Sequence, residues 1–346
     1  MKVNFSFIIQ ALLAALFFGA SAPISKLLLG NVPPVLMAAF LYLGSGTGIS
    51  LIKLYQQLTL NQKEAGIKSP DVKWLAGAII SGGILAPIIL MISLKNTPAS
   101  TASLLLNFEG VGTTLIAYFF FRESISRRAF AAIAAITLAS IFLSTNFQSG
   151  FGLSLGALGV LVACVLWGVD NNFTRNISAK DPLTIVAWKG LVAGIFSLLL
   201  GLSLGQQLPA LITILSILLL GFISYGLSTM LFIYSMRGLG AARTSALYGT
   251  APLAGVLLSI LIFKDTITFL FGIAAVLMIA GALMLANEEH AHFHIHMPVV
   301  HEHVHKHEEF HAHDANPTVH SHEHEHPQTE HEHGHMPDIH HRHDDG

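Results

Sequence analysis

Apolar residues run in ten stretches separated by short polar breaks, at roughly 5–28, 33–54, 74–94, 98–120, 128–145, 153–173, 182–201, 210–234, 241–262 and 269–286. Each is close to the ~20 residues that a helix needs to cross a hydrocarbon core. The runs are apolar on all sides rather than along one stripe, which is the pattern of a helix surrounded by lipid and other helices. Pro98 and Pro182 stand at expected helix starts, where a missing N–H costs nothing. Pro23, Pro87 and Pro252 fall inside expected spans. Kinks of that kind are tolerated where neighbouring helices re-satisfy the backbone. The start, Lys2 and then an apolar run with Ala20-Ser21-Ala22, has the look of a signal peptide. Its length and Pro23, directly after that site, instead predict a first span.

After residue 287 the pattern changes abruptly. Residues 288–346 alternate His with acidic and other small residues, and all 20 His of the chain lie there. Residues 1–287 hold 16 Lys/Arg against 7 Asp/Glu, whereas the tail holds 2 against 13, so the net charge of −2 conceals two unlike segments. Overall, 53% of residues are apolar, 11% are charged and the mean hydropathy is +0.63. Soluble domains carry about 25% charged residues. An all-α integral membrane protein with a disordered, cytoplasmic tail is therefore expected.

Basic residues orient the bundle. With the N-terminus inside, twelve Lys/Arg fall on the cytoplasmic side and only Lys95 and Lys264 outside. Ten spans return the tail to the cytoplasm, in a multi-pass protein of the cell (inner) membrane.

The apolar pattern is also written twice. Phe121-Arg122-Glu123-Ser124-Ile125-Ser126 returns 142 positions later as Phe263-Lys264-Asp265-Thr266-Ile267-Thr268. Phe18-Gly19, Lys26 and Pro33 return as Trp167-Gly168, Arg175 and Pro182 at an offset of 149. Three regions follow: 1–145, a first five-helix repeat; 146–287, a second; and 288–346, the tail. Five spans per copy is an odd number, so the copies must be inverted in the membrane. Inverted repeats are common in secondary transporters, where two halves rocking about a central site give alternating access.

These motifs resemble the drug/metabolite transporter superfamily, in particular its ten-span EamA-type permeases. The resemblance covers residues 5–286. It includes Thr97-Pro98-Ala99-Ser100 with Ala102-Ser103, and Gly240-Ala241-Ala242 with Ser245-Ala246, at the entries to spans 4 and 9. It implies a secondary carrier with a cavity between the halves, often an exporter of small organic metabolites. Pro252 follows the family pattern, but its first-half counterpart is Gly110, and Glu109 stands where the second half has Ala251.

Few residues in the spans can carry chemistry. Glu109 lies mid-span, and an ionised acid there must be paired, protonated or facing a cavity. It is read as a proton-coupling or cation-binding group, or as a protonated acid bonded to a neighbouring helix. Asp170, Asn171 and Asn172 are consecutive in span 6, so they cannot share one helix face. Asp170 either lines the cavity or meets Arg175 at the interface. Lys189, beside Trp188, pairs with Glu109 or Asp170, binds an anionic substrate, or snorkels to the interface. Asn107 is a cavity hydrogen-bonding group or interhelical glue. Lys26 is read as snorkelling, and Glu123 and Asp265 as partners of the adjacent Arg122 and Lys264 at helix ends. Cys164, the one cysteine, is a packing residue. No P-loop, nucleophile elbow or triad is present, and the spans have no His, so neither an enzyme nor a nucleic-acid binder is expected. The membrane region calls for no cofactor. Its partners are the lipid bilayer and a small-molecule substrate. Nothing fixes an oligomeric state.

The tail is different chemistry. His290, His292, His294, His296, His301, His303, His305, His307, His311, His313, His320, His322, His324, His326, His331, His333 and His335 form H-x-H series, closed by His340, His341 and His343. Neutral imidazole ligates zinc, nickel, cobalt and copper(II). Alternate residues of an extended chain share a face, so H-x-H can chelate a divalent metal ion. The alternatives are a carrier whose cargo is a transition metal or its chelate, and a membrane-anchored metal sensor or buffer. Spans with no His and few carboxylates disfavour a bare-metal pathway.

Overall fold

A computed structural model describes residues 5–59, 65–121, 127–146, 152–177, 180–239, 244, 247–265, 267–286, 290–296, 299–306, 319–326 and 329–335. Among these described residues, ten helical stretches stand where ten spans are expected. They are α1 Phe5–Leu28, α2 Pro34–Thr59, α3 Ser69–Leu94, α4 Ala99–Phe121, α5 Arg127–Ser144, α6 Leu155–Arg175, α7 Pro182–Ser203, α8 Leu211–Ser235, α9 Ala251–Phe263 and α10 Phe269–Ala286. Seven of them, α1–α4 and α6–α8, are long and apolar enough to cross a membrane by themselves. The described part of α9 is shorter than the expected span, and α5 opens on two arginines, Arg127 and Arg128.

Large aliphatic side chains stay exposed around the outside, among them Leu51, Leu58, Leu199, Leu211, Leu257 and Leu261. In water such a surface would drive association; a bilayer is its natural solvent. The interior is built on α2, where Leu36, Met37, Leu41 and Ile49 are fully buried.

The packing repeats as the sequence does. α2 packs on α7, α5 on α10 and α4 on α9, while α1 packs on α8 and α9, and α6 packs on α3 and α4. Exchanging the first five helices for the last five, in order, turns this set of contacts into itself. Gly19 and Gly168 mark the matching crossings. A Cβ at Gly19 would stand 2.1 Å from the Ala251 carbonyl oxygen on α9, and one at Gly168 would stand 2.7 Å from the backbone of Gly112 and Thr113 on α4. Only glycine lets the backbones approach this closely.

The third helix of each set contains a π-helical stretch, Ile79–Leu85 in α3 and Phe222–Leu227 in α8. Ser81-Gly82-Gly83 and Ser224-Tyr225-Gly226 occupy matching places in them, 143 residues apart. Two other helices are interrupted: α1 at Ala20, and α4 at Leu106-Asn107 between Ala99–Leu105 and Phe108–Phe121.

The tail's backbone is extended over its described residues. Its backbone forms β3 His290–His296, β4 Val299–Lys306, β5 Val319–His326 and β6 Thr329–His335, after a two-residue pair β1 Thr145–Asn146 and β2 Gly152–Leu153. β3 pairs antiparallel with β6, and β4 with β5. Strict alternation is the period of a strand, which is the physical reason for the ladders. In register, His290, His292 and His294 stand opposite His335, His333 and His331. His301, His303 and His305 stand opposite His324, His322 and His320. His307, His311, His313, His340, His341 and His343, and likewise Arg122, Glu123 and Gly240–Ala242, lie outside the described residues.

Candidate functional site

Helix α6 begins at Ser154, whose hydroxyl accepts from the Ala157 N–H at 3.3 Å. Four turns on it presents Trp167, Gly168, Asp170 and Asn172, all buried. Lys189 of α7 donates to both carboxylate oxygens of Asp170, at 2.7 and 2.6 Å, and Thr174 adds a third bond at 2.9 Å. Asp170 is 4% exposed, so two charges have been taken out of solvent and need these partners. Of the open sequence readings for Lys189, pairing with Asp170 is the one realised.

Asp170 fits because α3 has a glycine opposite it. A Cβ at Gly82 would stand 2.0 Å from Asp170 Oδ2. Gly82 lies in the π-helical stretch, where bonds run i to i+5. Its carbonyl accepts from the Tyr42 hydroxyl at 2.6 Å and from Trp167 Nε1 at 3.0 Å. The corresponding residues in the other half are Ser21 for Asp170, by the offset of 149, and Tyr225 for Gly82. Ser21 is within hydrogen-bonding reach of the Tyr225 hydroxyl. The two halves thus fill one place in opposite ways: a large acid over glycine, and a small hydroxyl under a phenol.

Glu109 opens the resumed helix of α4, in its first turn, where a carboxylate is favoured by the helix dipole. Its side chain is partly exposed. Asn171 Nδ2 donates to Glu109 Oε1 at 2.8 Å and to Thr113 Oγ1 at 3.1 Å. Asn172 Nδ2 donates to the carbonyls of Thr113 at 3.0 Å and Gly168 at 2.8 Å. The three consecutive polar residues of α6 therefore split: Asp170 to α7, Asn171 to the acid of α4, Asn172 to the α4 backbone. Asn107 lies at the break in α4 and is partly exposed.

Aromatic rings from α1, α2 and α8 pack together with Tyr248. Phe18 packs against Tyr225 and Tyr248 at centroid distances of 6.1 and 5.6 Å. Tyr42 meets Tyr225 at 5.6 Å, and Phe232 meets Tyr248 at 4.8 Å. Sequence reasoning missed these tyrosines, Gly82, Thr113 and Thr174; a phenol inside an otherwise aliphatic span was the available signal.

The charged residues at helix ends are structural. Lys26 donates to the carbonyls of Leu94, at 2.9 Å, and Thr97, rather than snorkelling to solvent. Asp265 does not pair locally with Lys264. It accepts from the N–H and hydroxyl of Ser100 at 3.2 and 2.7 Å, near the start of α4. Asp181 caps α7 through the Leu183 N–H at 3.0 Å, and Lys53 sits 2.7 Å away. Burial alone would push the Asp181 carboxyl up, but Lys53, Thr184 and Leu183 together hold it below its ordinary value. Cys164 is buried, as its apolar setting predicts. Among the described residues no three His, Cys, Asp or Glu side chains come together as a metal site.

Comparison with known proteins agrees with this architecture. A family model described as the EamA-like transporter family matches residues 5–145 and again 154–287. A Methanothermobacter thermautotrophicus protein named "Uncharacterized transporter" is 28% identical over 293 residues, 80% of this chain and 85% of that one. A Salmonella typhimurium protein named "Probable amino-acid metabolite efflux pump" is 25% identical over 285 residues, 78% and 91% of the two chains. One solved crystal structure shares the fold, with a TM-score of 0.58 at 20% identity, over 82% of this chain and 96% of that one.

Proposed function

The chain belongs to the EamA-like transporter family, and from that premise we propose that it is a secondary active exporter of a small organic metabolite working by alternating access. The reading rests on one observation above others: the principal contacts between the two sets of helices map onto themselves when the first five are exchanged for the last five. Five helices per half makes the halves inverted, and rocking of inverted halves exposes a central site to each side in turn. The units are 1–145 and 146–287, with both termini cytoplasmic in the cell membrane. Export of a metabolite also accords with the name of the Salmonella relative.

Glu109, Asn107, Asp170, Asn171, Asn172 and Lys189 form the substrate and coupling region, with Glu109 as the coupling acid. The tail, 288–346, binds a divalent transition metal: zinc, nickel, cobalt or copper(II). Support for that part is the composition and the register that sets His opposite His in both ladders.

The test is solute flux in proteoliposomes carrying the intact chain or a chain ending at Glu289. Both are expected to transport, and only the intact chain should retain zinc or nickel on equilibrium dialysis. Flux of a metal in place of any organic solute would make the cargo a metal. No flux of either kind would leave a sensor or buffer.

A further inference from the structure

The π-helical stretches of α3 and α8 match in place but not in what holds them. Each carries a bond that spans five residues: the Ala86 N–H donates to the Ser81 carbonyl, and the Ser228 N–H to the Ile223 carbonyl. In α3 the residue five beyond Gly82 is Pro87, which has no N–H to give. The Gly82 carbonyl is taken instead by the Tyr42 hydroxyl at 2.6 Å and by Trp167 Nε1 at 3.0 Å, one from each half. A return to four-residue bonding would give Gly82 the Ala86 N–H and leave the buried Gly83 carbonyl opposite Pro87, without a donor. Proline, tyrosine and tryptophan together fix α3 in its π register.

The matching places in the other half hold none of the three. By the offset of 143 Pro87 becomes Met230, which has an N–H, and by 149 Tyr42 becomes Leu191 and Trp167 becomes Phe18, which cannot donate. The Tyr225 carbonyl takes the Thr229 hydroxyl of its own helix at 2.7 Å. With no proline in the turn beyond, α8 can pass between four- and five-residue bonding without orphaning a carbonyl. Its present register leaves the buried Ser224 hydroxyl without a partner, where Ser81 in α3 donates to the Gly77 carbonyl at 2.8 Å. Beyond the stretch, Ser228 donates to the Ala14 carbonyl at 2.8 Å and Ser235 to that of Phe7 at 3.0 Å, so the end of α8 is clipped to the start of α1. Beside the stretch α1 is itself interrupted: Pro23 withholds the N–H that the Gly19 carbonyl would take, and Phe18 packs on Tyr225. The matching α6 is one helix from Leu155 to Arg175.

The geometry points to a gate: Phe5–Gly19 of α1 and residues 228–235 of α8 move as one block, hinged at residues 20–23 and at the π-helical stretch Phe222–Leu227. The gate stands at the end of the bundle where α1 begins and α8 ends, the cytoplasmic end in the carrier reading, on which it rests. Changing the span of the bonds in Phe222–Leu227 turns the segment beyond it about the helix axis, because successive residues of an α-helix are about 100° apart. The fixed stretch of α3 and the unbroken α6 are the stationary counterpart, so the inverted halves rock about unequal hinges.

Amide hydrogen exchange of the purified full chain in lipid nanodiscs, read by mass spectrometry, tests this without a transported solute. Residues 222–231 are expected to exchange at least about tenfold faster than residues 79–90, the ratio that one buried hydrogen bond produces. Residues 17–24 should likewise exchange about tenfold faster than residues 166–173. Pro87→Ala, which returns an N–H to α3, should speed exchange over 79–90 by about tenfold. Trp167→Phe, which keeps a ring and removes one donor to Gly82, should speed it by about threefold. Equal exchange in the matching stretches of the parent, or an α3 unchanged in both variants, overturns the proposal. Fast exchange at 222–231 beside slow exchange at 17–24 overturns the single block. Solute flux in proteoliposomes separates this failure from failure of the carrier reading. Slow exchange at 222–231 with flux intact refutes the gate alone, and flux of no solute refutes the carrier and the gate with it.

Discussion

Lys189 reaches from α7 to place its ammonium 2.7 and 2.6 Å from the two carboxylate oxygens of Asp170 on α6. The side chains are 19% and 6% exposed, so each charge depends on the other. Removing one partner leaves an uncompensated buried charge, whereas removing both does not. Lys189→Met is expected to cost about 3–5 kcal/mol, read as a lower thermal midpoint in detergent. The double variant Lys189→Met/Asp170→Leu should cost less than the sum of the single changes. Additive losses would show that the pair is not a unit.

Gly82 provides the space that Asp170 occupies. Gly82→Ala drives a methyl into the carboxylate, 2.0 Å from Oδ2 by the ideal Cβ position. Overpacking of this kind costs about 1–3 kcal/mol. Gly30→Ala, where a Cβ meets nothing within 4 Å, is the control and should change stability by less than about 0.5 kcal/mol. Thermal melts of the two variants beside the parent check the contrast.

Asp181 does two jobs, and two substitutions separate them. Asp181→Ala removes the cap of α7 and the ion pair with Lys53; loss of the cap alone costs about 1 kcal/mol. Asp181→Asn keeps a capping oxygen and loses only the charge. The folded protein holds the Asp181 carboxyl below its ordinary value. Its contribution is therefore complete above the unfolded value of about 3.9 and is lost as pH falls through the lower, folded value. The parent should lose thermal stability across that acid range more steeply than Asp181→Asn. Equal slopes would remove Asp181 from the acid response.

Asp265 ties the loop after α9 to the start of α4, 165 residues earlier, through Ser100. Asp265→Ala should cost about 1 kcal/mol of thermal stability, the usual worth of a helix N-terminal acceptor. Lys264→Ala, which leaves that contact intact, should cost less. Equal losses would return Asp265 to the local ion pair that its sequence neighbour suggests.

Much of this was legible in the chain. Ten apolar runs correspond to ten helices, and the offset of Phe18-Gly19 to Trp167-Gly168 foretells the matched crossings at Gly19 and Gly168. Lys189 and Asp170 were both visible as costly charges, but which acid the lysine takes depends on the relative rotation of α6 and α7. The π-helical stretches leave no mark in hydropathy, since they alter bonding by one residue while the segment stays apolar. The exchange of Gly82 with Asp170 for Tyr225 with Ser21 was hidden for another reason. It needs two offsets, 149 and 143, and contacts across helices that no single alignment brings together. The tail's ladders follow from its period of two.

Alternating access is tested most directly at Asn107, partly exposed at the break in α4. A cysteine placed there, with the buried Cys164 replaced by alanine, can be labelled by a membrane-impermeant maleimide in right-side-out and inside-out vesicles. The inverted architecture predicts labelling from both sides, with transported solute shifting the two rates in opposite directions. Labelling from one side alone under every condition, or rates that rise and fall together, would contradict it.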